Sequence, residues 1–322
     1  MKFFKKKGGG AEESEDNSKN LTEMSEDCNT NVTITIYPRL RSTHMKTEGG
    51  EIMRKFSFVL GSVLSVLLLA ALSYGEELRI DGSTTVLPIA QRGAEVFMQK
   101  NPDIKIFVSG SGSGTGLKAL IDGTTMLATS SREAKDSEIT DGKAKGVNMI
   151  AHKIALDGVI AIVHPSNKLS DVTMDQLKNI YNGNIKSWKE LGGPDRPIAV
   201  VSRDTSSGTY EIWQEKVLGK DKLRPDALQV ASSGQMTQTV AQNPYAIGYD
   251  GIGYIDKSIK ALKINGKSPT EQSVRDFSWP VARYLFIYSN GKPTGAAAKF
   301  MDFMLSKEGQ NIVKEVKFVP LP

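Results

Sequence analysis

Serine, threonine and glycine gather at three points of this chain: Gly82-Ser83-Thr84-Thr85, the run Gly110-Ser111-Gly112-Ser113-Gly114-Thr115-Gly116, and Ser206-Ser207-Gly208-Thr209. Each stands where a helical pattern begins. The first turn of a helix carries unpaired N–H donors and about half a positive charge, so it is a ready anion site. Two of the stretches share the tripeptide Ser-Gly-Thr, and Arg203 lies four residues before Ser207. A guanidinium placed there suits the bidentate recognition that tetrahedral oxyanions favour. Serine and threonine cap helices in any protein, so one such loop carries little weight. Three of them with an arginine suggest a cage for one small oxyanion.

Sharper motifs fail. The glycine-rich run gives no G-x-G-x-x-G, because the third glycine would fall on Thr115 or Leu117. It contains no G-x-x-x-x-G-K-[ST] phosphate loop, and serines at 109 and 111 break any G-x-S-x-G nucleophile turn. Downstream of residue 75 the histidines are His152 and His164, each beside an apolar run. They read as packing or surface residues, so no catalytic residue, metal site or cofactor is expected. Hydrolysis or phosphoryl transfer has little to work with here.

The first 75 residues have a different character. Residues 1–52 mix Lys, Glu, Ser, Asn and Gly without apolar periodicity and read as a disordered gene-model extension. Met53-Arg54-Lys55 then precedes a nearly uncharged run from Phe56 to Leu72, with small residues at Ser73 and Gly75. That is the pattern of a secretory signal peptide over 53–75, cleaved before Glu76. An uncleaved membrane anchor is the alternative, for a run of about 17 residues lies at the lower limit of a span. The lone cysteine, Cys28, lies upstream of this segment, so the secreted chain has neither a disulfide nor a lipid-bearing cysteine. The whole sequence carries 41 Lys+Arg against 36 Asp+Glu, a net charge of +5. The excess is spread without a basic block, which points away from nucleic acid and helps steer anions.

The elements that must position the cage alternate. Strands are expected at Leu78–Asp81, Lys105–Ser109, Pro197–Ser202, Ala246–Tyr249 and Val281–Ser289. Helices are expected at Thr84–Lys100, Leu117–Ile121, Met174–Tyr181, from Gly208 to Leu218, Gln235–Gln242 and Gly295–Val316. Such alternation argues for α/β units with parallel sheets. The anion loops around Ser113 and Ser207 suggest two units facing each other. The apolar tract through Asp157–Val163 is long enough to cross from one to the other, and Val281–Ser289 could return. That predicts one lobe of 76–160 with 281–322, a second of 161–280, and a two-segment hinge.

These residues resemble the periplasmic phosphate-binding proteins that serve the bacterial phosphate ABC transporter. The resemblance runs from Leu78 to about Val316. It rests on Asp81-Gly-Ser-Thr-Thr-Val-Leu-Pro88, Ser111-Gly-Ser-Gly-Thr-Gly116, Ser130-Ser-Arg-Glu133, Asp157-Gly158 with Pro165-Ser-Asn167, Ile180-Tyr-Asn-Gly-Asn-Ile-Lys-Ser-Trp188, and Arg203-Asp-Thr-Ser-Ser-Gly-Thr209. It implies a two-lobed, type II-like binding protein of the α/β class, each lobe a sheet flanked by helices. Such a protein closes on inorganic phosphate without chemistry and delivers it, as a periplasmic monomer, to a membrane permease. It also implies that Ser83, Thr84, Thr85 and Ser113 bind from one lobe, and Arg203, Ser207, Gly208 and Thr209 from the other.

One departure bears on selectivity. Known members carry an aspartate where this chain has Ser131, and that carboxylate accepts the proton phosphate keeps and sulfate lacks. Asp157 is the candidate substitute, with Asp81 after it. Receptors for sulfate, molybdate or tungstate use similar cages, and a secreted phosphoesterase is the alternative of another class.

Overall fold

The structure, a computed structural model, describes residues 75–322. The predicted extension and all of the signal segment except Gly75 lie outside the described residues. Its strands are β1 (Glu76–Gly82), β2 (Ile104–Val108), β3 (Leu127–Ser130), β4 (Met149–Val163), β5 (Asp171–Val172), β6 (Ala199–Arg203), β7 (Leu228–Val230), β8 (Ala246–Gly251), β9 (Lys260–Ala261), β10 (Lys263–Ile264) and β11 (Ala282–Asn290). One sheet has the order β2-β1-β3-β11-β4-β8-β6-β7, with β9 added to β4, and a two-stranded sheet joins β10 to β5. β1 pairs in parallel with β2 and β3, and β6 in parallel with β7 and β8. The joins in the middle, β11 to β3 and to β4, and β4 to β8, are antiparallel. The α/β expectation holds, with antiparallel strands stitching its two parallel parts.

A smaller third cluster gathers Leu117, Leu120, Ala128, Phe286 and Tyr288, and two large apolar cores mark two lobes. Leu78, Ile80, Ile89, Phe97, Leu127, Phe300 and Met304 belong to one; Val159–Val163, Leu177, Trp188, Trp213, Ile247 and Trp279 belong to the other. The change of core falls inside the long strands. Ile154 and Ala155 pack in the first core and Leu156 onward in the second; Leu285 and Ile287 pack in the first and Val281 in the second. From Ile154 to Val163 every residue of β4 is buried, because both faces are covered there, and the alternation of a half-exposed strand is lost. That explains why this tract reads as a continuous apolar run.

Most of the expected helices shift at an end: the one expected at Leu117 starts at Ser113, the one expected at Gln235 starts at Ser233, and the stretch from Gly208 is α-helical to Trp213 and π-helical to Leu218. The first helix of the chain begins at Leu87, not Thr84, because the carbonyl of Ser83 accepts N–H bonds from both Val86 and Leu87 and makes a turn of the serine-threonine segment. Pro88, lacking an N–H, then fits the first helical turn. The last helix is two, Gly295–Leu305 and Lys307–Glu315. Ser306 is extended between them (ψ 166°), and its Oγ accepts the N–H of Gly309 at 3.3 Å, which caps the second piece. Apolar spacing runs through this break, so periodicity does not reveal it.

Candidate oxyanion site

The three loops and Arg203 come together where the lobes meet. Arg203 ends β6 and is 1% exposed. Its position is fixed from beneath by an aromatic stack: Trp213 and Tyr249 lie face to face at 4.4 Å, with Tyr181 edge-on to Trp213. Tyr249 Oη accepts the Arg203 backbone N–H at 3.1 Å. The guanidinium donates through Nε to the Val230 carbonyl and through Nη2 to that of Ala231. Its remaining reach is toward the facing lobe and the next helix. Nη2 donates to Thr84 Oγ1 at 3.0 Å and Nη1 to Ser233 Oγ at 3.2 Å.

Other contacts close the seam. Thr85 Oγ1 and Thr209 Oγ1 are 2.8 Å apart, and Gly114 donates its N–H to the Ser206 carbonyl at 2.9 Å. Gly208 has no room for a side chain, since a Cβ there would stand 2.5 Å from Ser113 Oγ and 2.8 Å from Ser131 Oγ. Those two hydroxyls are 3.2 Å apart, and Ser113 Oγ also accepts the Ser131 N–H. Ser113 is the first residue of the helix Ser113–Ile121. Ser207 caps the helix Gly208–Trp213 by accepting the Tyr210 N–H at 3.3 Å, which leaves the Gly208 and Thr209 N–H groups in the unpaired first turn. Ser83 is buried nearby, its Oγ accepting the Thr85 N–H.

Asp157 lies close by but is engaged. It is fully buried on β4, and its Oδ2 accepts two N–H bonds from Arg283, at 2.9 and 2.7 Å. Its Oδ1 accepts the Ile252 N–H at 2.9 Å. Arg283 in turn donates to Thr209 Oγ1 at 3.0 Å, so Asp157 meets the cluster through that guanidinium. Burial raises the Asp157 carboxyl above the ordinary value against the pull of Arg283. Gly251 allows the approach, since a Cβ there would come within 2.9 Å of both carboxylate oxygens. Asp81 lies near the end of β1 and faces the glycine-rich loop instead. It accepts from the Gly82 N–H and from the hydroxyls of Ser109 and Ser111, each at 2.8 Å, and so shapes the glycine-rich run.

Three residues that the sequence reading did not single out belong to the cluster. Ser233 Oγ donates to Asp250 Oδ1 at 2.8 Å, and the Ser233 N–H reaches Thr84 Oγ1 at 3.3 Å. Asp250, at the end of β8, is fully buried, and burial pushes its carboxyl up to about 6 despite Arg203. Arg283 is the third. Ser232-Ser233-Gly234 is a fourth serine-glycine helix start, with Ser232 as cap, and could have been found by the rule used for the others. Arg283 has no such signal, because its role comes from strand pairing. The histidines stand apart: His152 pairs with Ser289 Oγ and His164 with Ser166 Oγ.

Beside the cluster, Glu211 crosses from the second lobe to the first. Its Oε2 lies 2.9 Å from Arg132 Nε and 2.8 Å from Lys135 Nζ. Arg132 is held for this by Glu138, which takes its Nη1 and Nη2 at 2.8 Å each.

Comparison with known proteins gives a consistent result. A PBP superfamily domain matches residues 62–308. The phosphate-binding protein PstS of Bacillus subtilis is 36% identical over 247 residues, covering 76% of this chain and 80% of its own. The PstS of Borreliella burgdorferi is 33% identical, covering 74% and 88% respectively. Among solved structures, one with bound phosphate from Clostridium perfringens, assigned as a phosphate ABC transporter substrate-binding protein, superposes with a TM-score of 0.72 at 35% identity, covering 77% of this chain and all of its own. An ABC-type phosphate transport receptor from Vibrio cholerae gives 0.63 at 30%, covering 76% and 100%. With this two-lobed α/β fold and this degree of identity over most of each relative, the chain belongs to the PBP superfamily, in its PstS group of phosphate-binding proteins.

Proposed function

We propose that this chain is the extracytoplasmic receptor of a phosphate ABC transporter, taking inorganic phosphate between its lobes and handing it to a membrane permease. One observation carries the reading. Hydroxyls from both lobes meet a buried arginine at a single cluster beside the helix start at Gly208, through the Arg203–Thr84 and Thr85–Thr209 contacts. Such a set of donors complements a small multivalent oxyanion and little else. The names of the PstS relatives and of the phosphate-bound neighbour support phosphate as that anion.

The proposed contacts are Ser83, Thr84, Thr85, Ser113 and Ser131 from the first lobe, and Arg203, Ser207, Gly208 and Thr209 from the second. Asp157 contributes by orienting Arg283 toward Thr209. The first lobe would comprise 76–155 and 285–318 and the second 156–281, hinged where β4 and β11 change cores, a few residues earlier on β4 than the expected boundary at 160. Binding needs no cofactor and no chemistry, and one monomer holds one phosphate. Export through the segment 53–75 would place the protein in the periplasm, where the permease can receive it.

Isothermal titration tests this with phosphate, sulfate and molybdate in turn. One phosphate per chain, bound more tightly than either rival, is the expected result. Binding of molybdate or sulfate in preference to phosphate would overturn it.

A further inference from the structure

Asp250 stands out among the buried acids of the site. Its Oδ1 is fully used, accepting the Gly251 N–H and the Ser233 hydroxyl, each at 2.8 Å. Its Oδ2 is buried with no hydrogen-bond partner among the described residues. A carboxylate oxygen left so is costly, and native proteins rarely keep one without a use. Asp157 offers no comparable acceptor, since Arg283 and the Ile252 N–H occupy both its oxygens, and those of Asp81 are taken by Gly82, Ser109 and Ser111.

The place of Asp250 matters equally. Ser233 Oγ connects it to the cluster, donating to Asp250 while accepting from Arg203 Nη1, and lying 3.5 Å from Thr85 Oγ1. Everything else proposed to meet the oxyanion is a guanidinium, an N–H or a hydroxyl, all able to donate to any tetrahedral anion. A cage of donors alone treats phosphate and sulfate alike. An ionised carboxylate only accepts, so it rewards an anion that still carries a proton and faces one without a proton as an unpaired like charge.

We infer that Asp250 is the acceptor of the proton retained by bound phosphate, and therefore the residue that sets phosphate above sulfate in this chain. The inference rests on the phosphate reading above and assigns to the end of β8 the role that an aspartate at position 131 would otherwise have. The charged and titratable groups around Asp250 are Arg203, Asp157 and Tyr254, and burial holds its carboxyl at about 6. At pH 8 it is ionised, and most free phosphate carries a single proton.

The test is competition titration at pH 8 with phosphate, arsenate and sulfate on the wild type, Asp250→Asn and Asp250→Ser. Arsenate keeps a proton as phosphate does, so it reports general damage to the cage. In the wild type, sulfate is expected to trail phosphate by about four to five orders of magnitude, as in sites built around one such hydrogen bond. In at least one variant that ratio should fall by about a hundredfold or more, while the ratio of arsenate to phosphate stays within a few-fold. Wild-type preference for phosphate over sulfate in both variants would overturn the inference. So would folded variants, shown by a cooperative melt, that lose all three anions equally, because that makes Asp250 a structural support. Sulfate binding as tightly as phosphate to the wild type also sinks it, yet leaves the phosphate receptor standing. Absence of phosphate binding in the wild type sinks the receptor reading itself.

Discussion

Arg283 stands directly opposite Asp157 across the β4–β11 pairing and ties the two long strands together at the level where they change cores. Both side chains are buried, and the guanidinium continues to Thr209 on the other side of the seam. Removing one partner strands a buried charge, which typically costs about 3–5 kcal/mol. Arg283→Met should therefore lower the melting temperature of the unliganded protein. A melt indistinguishable from wild type would show the pair to be dispensable for the hinge.

Arg203→Met removes two donors from the centre of the cluster and leaves an incoming anion without its main counter-charge. Phosphate affinity should fall by about 2–5 kcal/mol, the usual cost of truncating one partner of a buried hydrogen-bonded charge pair. Titration calorimetry measures it directly. Retained affinity would place the anion elsewhere.

The Glu211 contact with Arg132 and Lys135 bridges the two lobes. Glu211→Gln keeps the shape and weakens a charge-assisted bond worth about 1.5–3 kcal/mol. The dissociation constant for phosphate should rise roughly tenfold or more, chiefly through faster release. The same variant should show a larger radius of gyration by small-angle scattering at subsaturating phosphate. Stopped-flow release at the wild-type rate would show that this contact does not hold the lobes shut.

Asp250 also sets a pH dependence. Its carboxyl lies at about 6 in the folded protein, against 3.8 for the free side chain, with burial as the main cause. Between those values the folded state binds more protons than the unfolded state, so stability falls as pH rises from about 4 to about 6. The loss amounts to something on the order of 3 kcal/mol. Asp157 shifts in the same direction, so the variant Asp250→Asn is needed to isolate the effect. Denaturant unfolding of the unliganded protein at pH 4, 5, 6 and 7 should show a shallower decline in the variant than in the wild type. Parallel profiles would deny Asp250 this role.

The three hydroxyl-rich loops, Arg203 and the α/β alternation were legible along the chain, because a helix cap, a strand and a guanidinium each leave a local signature. The long strand β4 was legible as an apolar tract, and the helix Met174–Tyr181 at its actual bounds, since Thr173 and Gln176 form a capping box. What the residues could not announce was which groups would be left over after folding. Asp157 and Asp250 are both acids beside glycine in an apolar context, and nothing local distinguishes them. Strand register places Arg283 against Asp157 and so engages its oxygens, while the helix start at Ser233 reaches only one oxygen of Asp250. The Asp157–Arg283 bonds, between residues 126 positions apart, made that difference. Sequence spacing determines which donors and acceptors a segment carries, and only the tertiary arrangement decides which of them remain for a ligand.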